Sequence, residues 1–335
     1  RTLRHVRPIL GPPQLGRVDG TAACEGDHGF VFLFNPNYRP IPVRCPLDAS
    51  IGLTAGTSFT IRQLYPDAQK GRLLHPPGKP FWSRDEALEL TMEPTEALVL
   101  AVEPAPRERE APLLIGATGR ATVADGTLAL TGVTGEPGTD AELCVLVPPR
   151  CEVRRATVNG VLTSTHQNGS DVILTVRFAG EQFGRCQAIG TYDAAFPGGT
   201  YRAKATIPAR ALRQVEERRR RWPLAYTTEE REATWLNGDR LLLFLQIAEP
   251  SPSMKVSLTV DGHPVALRPA YSSIVRNNPR HTFVGWYADV TDLAADVPHH
   301  FEATLPTLDP GQFQGLFLDT METDLTAEIV PRAVR

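Results

Sequence analysis

An all-β chain of tandem antiparallel sandwiches and jelly rolls, with one short helical insertion in the last of them, is the fold class this sequence predicts. Three observations predict it. Short runs rich in β-branched and aromatic residues recur from end to end, each closed by Gly, Pro, Asn or Asp, the pattern of strands and turns. Asp125-Gly126 and Asp261-Gly262 stand between alternating stretches, as in two-residue hairpins. One segment alone carries helical periodicity. At 335 residues the chain has room for two or three domains of ordinary size.

In chain order, the first block runs over 1–108. Its apolar run Phe30 to Phe34 is short and continuous, which predicts a strand buried on both faces. Asn35-Pro36-Asn37 is turn chemistry. Pro40 and Pro42 alternate with Ile41 and Val43, and proline without an N–H belongs on an edge strand. On this reading Phe32→Ala empties a core site at about 3 to 5 kcal/mol, and Tyr38→Ala, in the turn, costs much less. "TSFTIRQLY", "ALELTME" and "EALVLAVEP" continue as strands, and the polar linker "APREREAP" puts a boundary near residue 108.

The second block, 109–182, holds the hairpin "GRATVADGTLALTGV" and then "ELCVLVPP", "RRATVNGVLTST" and "NGSDVILTVRFAG". "GATGRA" from Gly116 leads into a strand and reads as a turn, not a phosphate loop. The third block, 183–335, contains the helical insertion near 208–234. In "ARALRQVEERRRRWP", Leu212 and Val215 share one face and Pro223 ends the helix. Thr227 and Glu230 have capping-box spacing for a second short helix. Strands resume with "DRLLLFLQIA", "MKVSLTVDGHPVAL", "HTFVGWYADV", "HHFEATLP" and "FQGLFLDTM".

With 35 basic against 38 acidic side chains, no global field favours nucleic acid or an anionic membrane as partner. The longest apolar segment, "LLLFLQIA" from Leu241, is far shorter than the ~20 residues of a membrane helix. The N-terminus has basic residues without the apolar stretch of a signal peptide, and reads as the middle of something longer. Cys24, Cys45, Cys144, Cys151 and Cys186 are too few and too scattered for a disulfide framework. Free, buried thiols are expected, with Cys24–Cys45 and Cys144–Cys151 as the possible bridges in an exported protein.

H-E-x-x-H, G-x-S-x-G, a Walker loop and G-x-G-x-x-G are all missing. No catalytic residue, metal ligand or cofactor site is assigned. Adjacent His299 and His300 would point to opposite faces of a strand and form no chelate. Aromatic residues gather in the third block, and sugars are recognised by an exposed aromatic plane with fixed polar groups beside it. Trp235, Asn237 and Asp239 in "TWLNGDR", Tyr271 in "PAYSSIVRNNPRH" and Trp286 in "FVGWYADV" are therefore the candidate carbohydrate contacts. Trp286 and Tyr287 are consecutive, so one of them is expected to leave the core.

The stretch "HVRPILGPPQLGRVDGTAACEGDHGFVFLFNPNYRPIPVRCPLD", His5 to Asp48, resembles the segment after the catalytic barrel in large bacterial glycoside hydrolases of the melibiase (α-galactosidase-like) kind. A strand ending in Asn35-Pro36 carries the likeness. Gly11-Pro12-Pro13 and Val18-Asp19-Gly20-Thr21 stand where that kind has G-D-P and Y-G-(Y/W). "TFVGWYADVTDL" and "LPTLDPGQFQGLFLD" are similar to galactose-binding-type jelly rolls attached to glycosidases. The resemblance implies a non-catalytic accessory portion of an extracellular or periplasmic enzyme. Its expected partners are carbohydrate and an upstream catalytic domain, on the same or a separate chain. A structural sandwich protein of the cell exterior and a self-contained glycosidase are the alternatives.

Overall fold

The computed structural model describes residues 5–11, 14–66, 70–106, 110–180, 186–221, 240–271, 283–319 and 327–330. Strands dominate, in antiparallel sheets with one parallel pairing, Thr127–Gly135 beside Arg155–Val158. The expected all-β class of tandem sandwich units is the class observed.

A seven-stranded sheet builds the first unit, running from the edge strand Arg7–Ile9 through Asp19–Glu25, His28–Phe34, Ala97–Pro104 and Ser58–Tyr65. A two-stranded sheet, Ile41–Pro46 with Ala87–Met92, closes the core over it. Because that small sheet consists only of edges, Pro42 is tolerated there. Asn35 and Asn37 are fully buried and build the turn with their side chains. The Asn35 amide donates to the carbonyls of Arg39, Met92 and Glu93, and its oxygen accepts from Asn37. Asn37 in turn donates to the Arg17 carbonyl and accepts from the Gly16 N–H. A buried turn needs such partners for every polar group.

The second unit wraps strands from Leu113–Ile115 to Asp171–Phe178 around an aliphatic core. Asp125-Gly126, with φ of 48° and 74°, is the expected hairpin, and Asn159-Gly160, at 49° and 82°, makes another. Both pairs have the left-handed geometry of a type I′ turn. The strand Ala327–Val330, far along the chain, returns to this unit. It pairs with Thr134 and Gly135 on one side and with Arg177 and Phe178 on the other.

The third unit sandwiches a five-stranded sheet against a four-stranded one. Its helix, Ala209–Arg221, buries Ala211 and Val215 in that core with Leu212 packed alongside, as its apolar face predicts. Pro223, Thr227 and Glu230 lie outside the described residues. Asp261-Gly262 is again a hairpin turn with both φ positive. His299 is buried and His300 exposed on the strand Pro298–Leu305, so the two face opposite ways as expected.

The five cysteines are free. Cys24 and Cys45 share the first core, where burial raises their pKa values to about 11 and about 12 and keeps them as thiols. Cys144, Cys151 and Cys186 are half-buried.

Two expectations of the first block are overturned. Phe30 to Phe34 is not buried on both faces: Gly29, Val31 and Leu33 face the core, whereas Phe30 and Phe32 are half-buried and Phe34 is exposed. Tyr38, expected to be a dispensable turn residue, is only 7% exposed. Its ring stands edge-on to Phe244 at 4.7 Å and to Phe317 at 6.1 Å, and its N–H donates to the Gln246 side chain. The turn therefore plugs the first unit into the outer face of the third unit's five-stranded sheet. Arg39 continues the seam, stacking over Tyr192 at 4.2 Å and donating to Gln314.

Candidate functional site, an aromatic sheet face

Side chains paired directly across an antiparallel ladder share a face of the sheet. Pro8, Thr21, Phe32, Val99 and Tyr65 pair in succession across five strands of the first unit. Ala23, Phe30, Ala101 and Arg62 form the next row, and Asp19, Phe34 and Ala97 the row on the other side. These rows are the face turned away from the unit's own core, which is filled by Val31, Leu33, Leu98, Leu100 and Ile61.

The outward face is apolar at its centre. Phe30 and Phe32 lie with ring centroids 6.5 Å apart, while Phe34 is 43% and Tyr65 46% exposed. Charges sit at its margin. Arg62 pairs with Glu103 at 3.4 Å, and Asp19, paired across from Phe34, has its carboxyl pKa raised by burial. The face therefore carries two exposed aromatic rings, Phe34 and Tyr65, beside the half-buried Phe30 and Phe32, an apolar surface of the kind found where partners dock. The signal was in the sequence: phenylalanine at every second position, with aliphatic residues between.

Of the expected sugar contacts, Trp286 alone has its side chain among the described residues. Trp235, Asn237 and Asp239 lie outside them. Tyr271 ends the strand Arg268–Tyr271 opposite Phe283, and its side chain is likewise outside them. Trp286 is only 7% exposed and packs in the third unit's core, edge-on to Phe283 at 4.9 Å. Trp286 and Tyr287 do point to opposite faces, yet Tyr287 is buried as well. The reason is the docked turn: the sheet has a core on one side and Tyr38 with its neighbours on the other, so neither aromatic leaves the interior.

Among the described residues no group of three or more His, Cys, Asp or Glu side chains is placed to hold a metal ion, and no helix is long and apolar enough to cross a membrane.

No family model matches the sequence, and no curated protein matches it. Solved structures align over most of the chain. One is BuGH86 in complex with neoagarooctaose, at 10% identity and a TM-score of 0.18, covering 90% of this chain and 33% of that one. Another is BpGH86A, a β-porphyranase of glycoside hydrolase family 86 from the human gut bacterium Bacteroides plebeius, at 10% identity and 0.18, covering 93% and 36%. The chain thus spans about a third of the length of those proteins.

Proposed function

We propose that this chain is a non-catalytic β-portion of a carbohydrate-active enzyme, divided at about residues 108 and 182 into modules, the last of jelly-roll type and returning the strand Ala327–Val330 to the second. Its work is to hold a catalytic domain on the outward face of the first unit. The observation that carries this reading is the half-exposed row Phe30, Phe32 and Phe34 on an otherwise well-packed sheet. The resemblance of His5 to Asp48 to a post-barrel segment supplies the identity of the covering partner. Secretion to the cell exterior or periplasm belongs to the same reading.

Activity tests it directly. The isolated chain is expected to turn over no member of a panel of nitrophenyl glycosides, while the full gene product hydrolyses at least one. Turnover by the isolated chain, abolished by substituting one of its own acidic residues, would contradict the reading. Replacing Phe30, Phe32 and Phe34 together by serine is expected to lower the melting temperature of the full gene product by more than that of the isolated chain. Each ring loses further burial only where a partner covers it.

A further inference from the structure

Two Asn-Gly pairs stand at hairpin tips of the second unit, and they differ in what holds the asparagine. In Asn159-Gly160 the carboxamide is tied at both ends: its oxygen accepts from the Val133 N–H at 3.0 Å, and its nitrogen donates to the Val133 carbonyl at 2.8 Å. In Asn168-Gly169 the asparagine ends the strand Thr165–Asn168 opposite Asp171, and Gly169 opens the turn at a φ of 61°. Both residues of this second pair are exposed. Among the described residues no hydrogen bond holds the Asn168 carboxamide, and a Cβ added at Gly169 would meet nothing within 4 Å.

An asparagine so placed can cyclise onto its own backbone. The Gly169 nitrogen attacks Cγ of Asn168, a C–N bond forms, and Nδ2 leaves as ammonia, taking the proton of the attacking amide. Water then opens the succinimide at either carbonyl, giving aspartate or, with the main chain rerouted through Cβ and Cγ, isoaspartate. Glycine favours the attack because it sets no Cβ beside the nucleophilic nitrogen and leaves the turn free to reorient. The carboxamide must also swing its carbon toward that nitrogen. Asn168 can do so freely, whereas Asn159 must first break two hydrogen bonds. We propose that Asn168 is a spontaneous deamidation site of this protein, and that the clamp on Val133 protects Asn159.

Conversion would reach beyond the turn. The neighbouring Gln167 braces the segment 151–153: its oxygen accepts from the Val153 N–H at 2.9 Å, and its nitrogen donates to the Cys151 and Gly169 carbonyls, each at 2.8 Å. A carboxylate at position 168 faces Asp171 across the ladder, where like charges repel. Isoaspartate also lengthens the main chain by one carbon beside Gln167. Either product loosens the brace.

One tryptic peptide, Ala156–Arg177, carries both pairs, so each asparagine is the other's control. The intact chain is aged in mildly alkaline buffer and digested, and conversion at each asparagine is read by fragment mass spectrometry, with an unaged and a urea-unfolded sample alongside. In the folded chain Asn168 is expected to convert about fivefold faster than Asn159 or more, the effect of at least one hydrogen bond. In urea, where the clamp is gone, the two rates should converge. Equal conversion in the folded chain, or conversion of neither while the unfolded chain converts both, overturns the proposal. Asn168→Asp reports the consequence separately. Its Val153 amide is expected to exchange with solvent deuterium several-fold faster than in the parent chain, and unchanged exchange would show that the brace does not depend on residue 168.

Discussion

Tyr38 occupies a position where sequence reasoning expects little, the residue after an Asn-Pro-Asn turn, and it is nevertheless buried between two units. Burial raises its phenol pKa well above the ordinary value. Tyr38→Ala is expected to cost about 3 to 5 kcal/mol in denaturant melts, the range for emptying an aromatic core site. Phe32→Ala in the isolated chain costs clearly less, because that ring is only half-buried. Equal losses would show that the turn does not anchor the units.

His299 makes a second prediction at this scale. It is 5% exposed, and both ring nitrogens face acceptors, the Asp261 carboxylate at 2.6 Å and the Ala294 carbonyl at 2.8 Å. Only the imidazolium satisfies both. The hydrogen bond to Ala294 and then that to Asp261 raise the His299 pKa. A raised folded-state pKa contributes stability that is complete below the unfolded value of about 6.5 and is lost as pH rises through the folded value. Asp261, lowered first by the His300 N–H and then by His299, contributes above its unfolded value and loses this as pH falls. The melting temperature should therefore decline as pH rises from about 6.5, and His299→Gln should flatten that decline. An unchanged slope in the variant would remove His299 as its cause.

Among elements, two apolar runs show what the sequence discloses. Phe30 to Phe34 and Leu241 to Leu245 are both continuous, and continuity alone suggests burial on both faces. The second is buried so: every residue of Leu242–Ile247 is inside, with one face toward its own sandwich and the other toward Tyr38. The first has a core on one side only. Strand type, the Asp-Gly hairpins and the helix face at Leu212 and Val215 are set by local periodicity and turn chemistry, and were legible. What covers a sheet's second face is a long-range matter, so Tyr38, Trp286 and the outward phenylalanines were misplaced.

The returning strand Ala327–Val330 was equally hidden, because pairing across such a sequence separation leaves no local mark. Ending the chain at Asp319 removes its pairings with Thr134, Gly135, Arg177 and Phe178. The amides of those residues should then exchange much faster with solvent deuterium, while the first unit's central strands keep their protection. Unchanged exchange at the four positions would contradict the pairing.

For the whole molecule, three units are linked by a turn plugged into a foreign sheet and by a strand returned to an earlier one, so the outward aromatic face of the first unit is carried on a braced scaffold. On the proposed accessory role, this face is covered in the working protein. Hydroxyl-radical footprinting of the isolated chain against the full gene product, read at Phe30, Phe32, Phe34 and Tyr65, tests it most directly. Strong labelling of these rings in the isolated chain and marked protection in the full gene product is the predicted result. Equal labelling in both would leave the face open to water and contradict the claim.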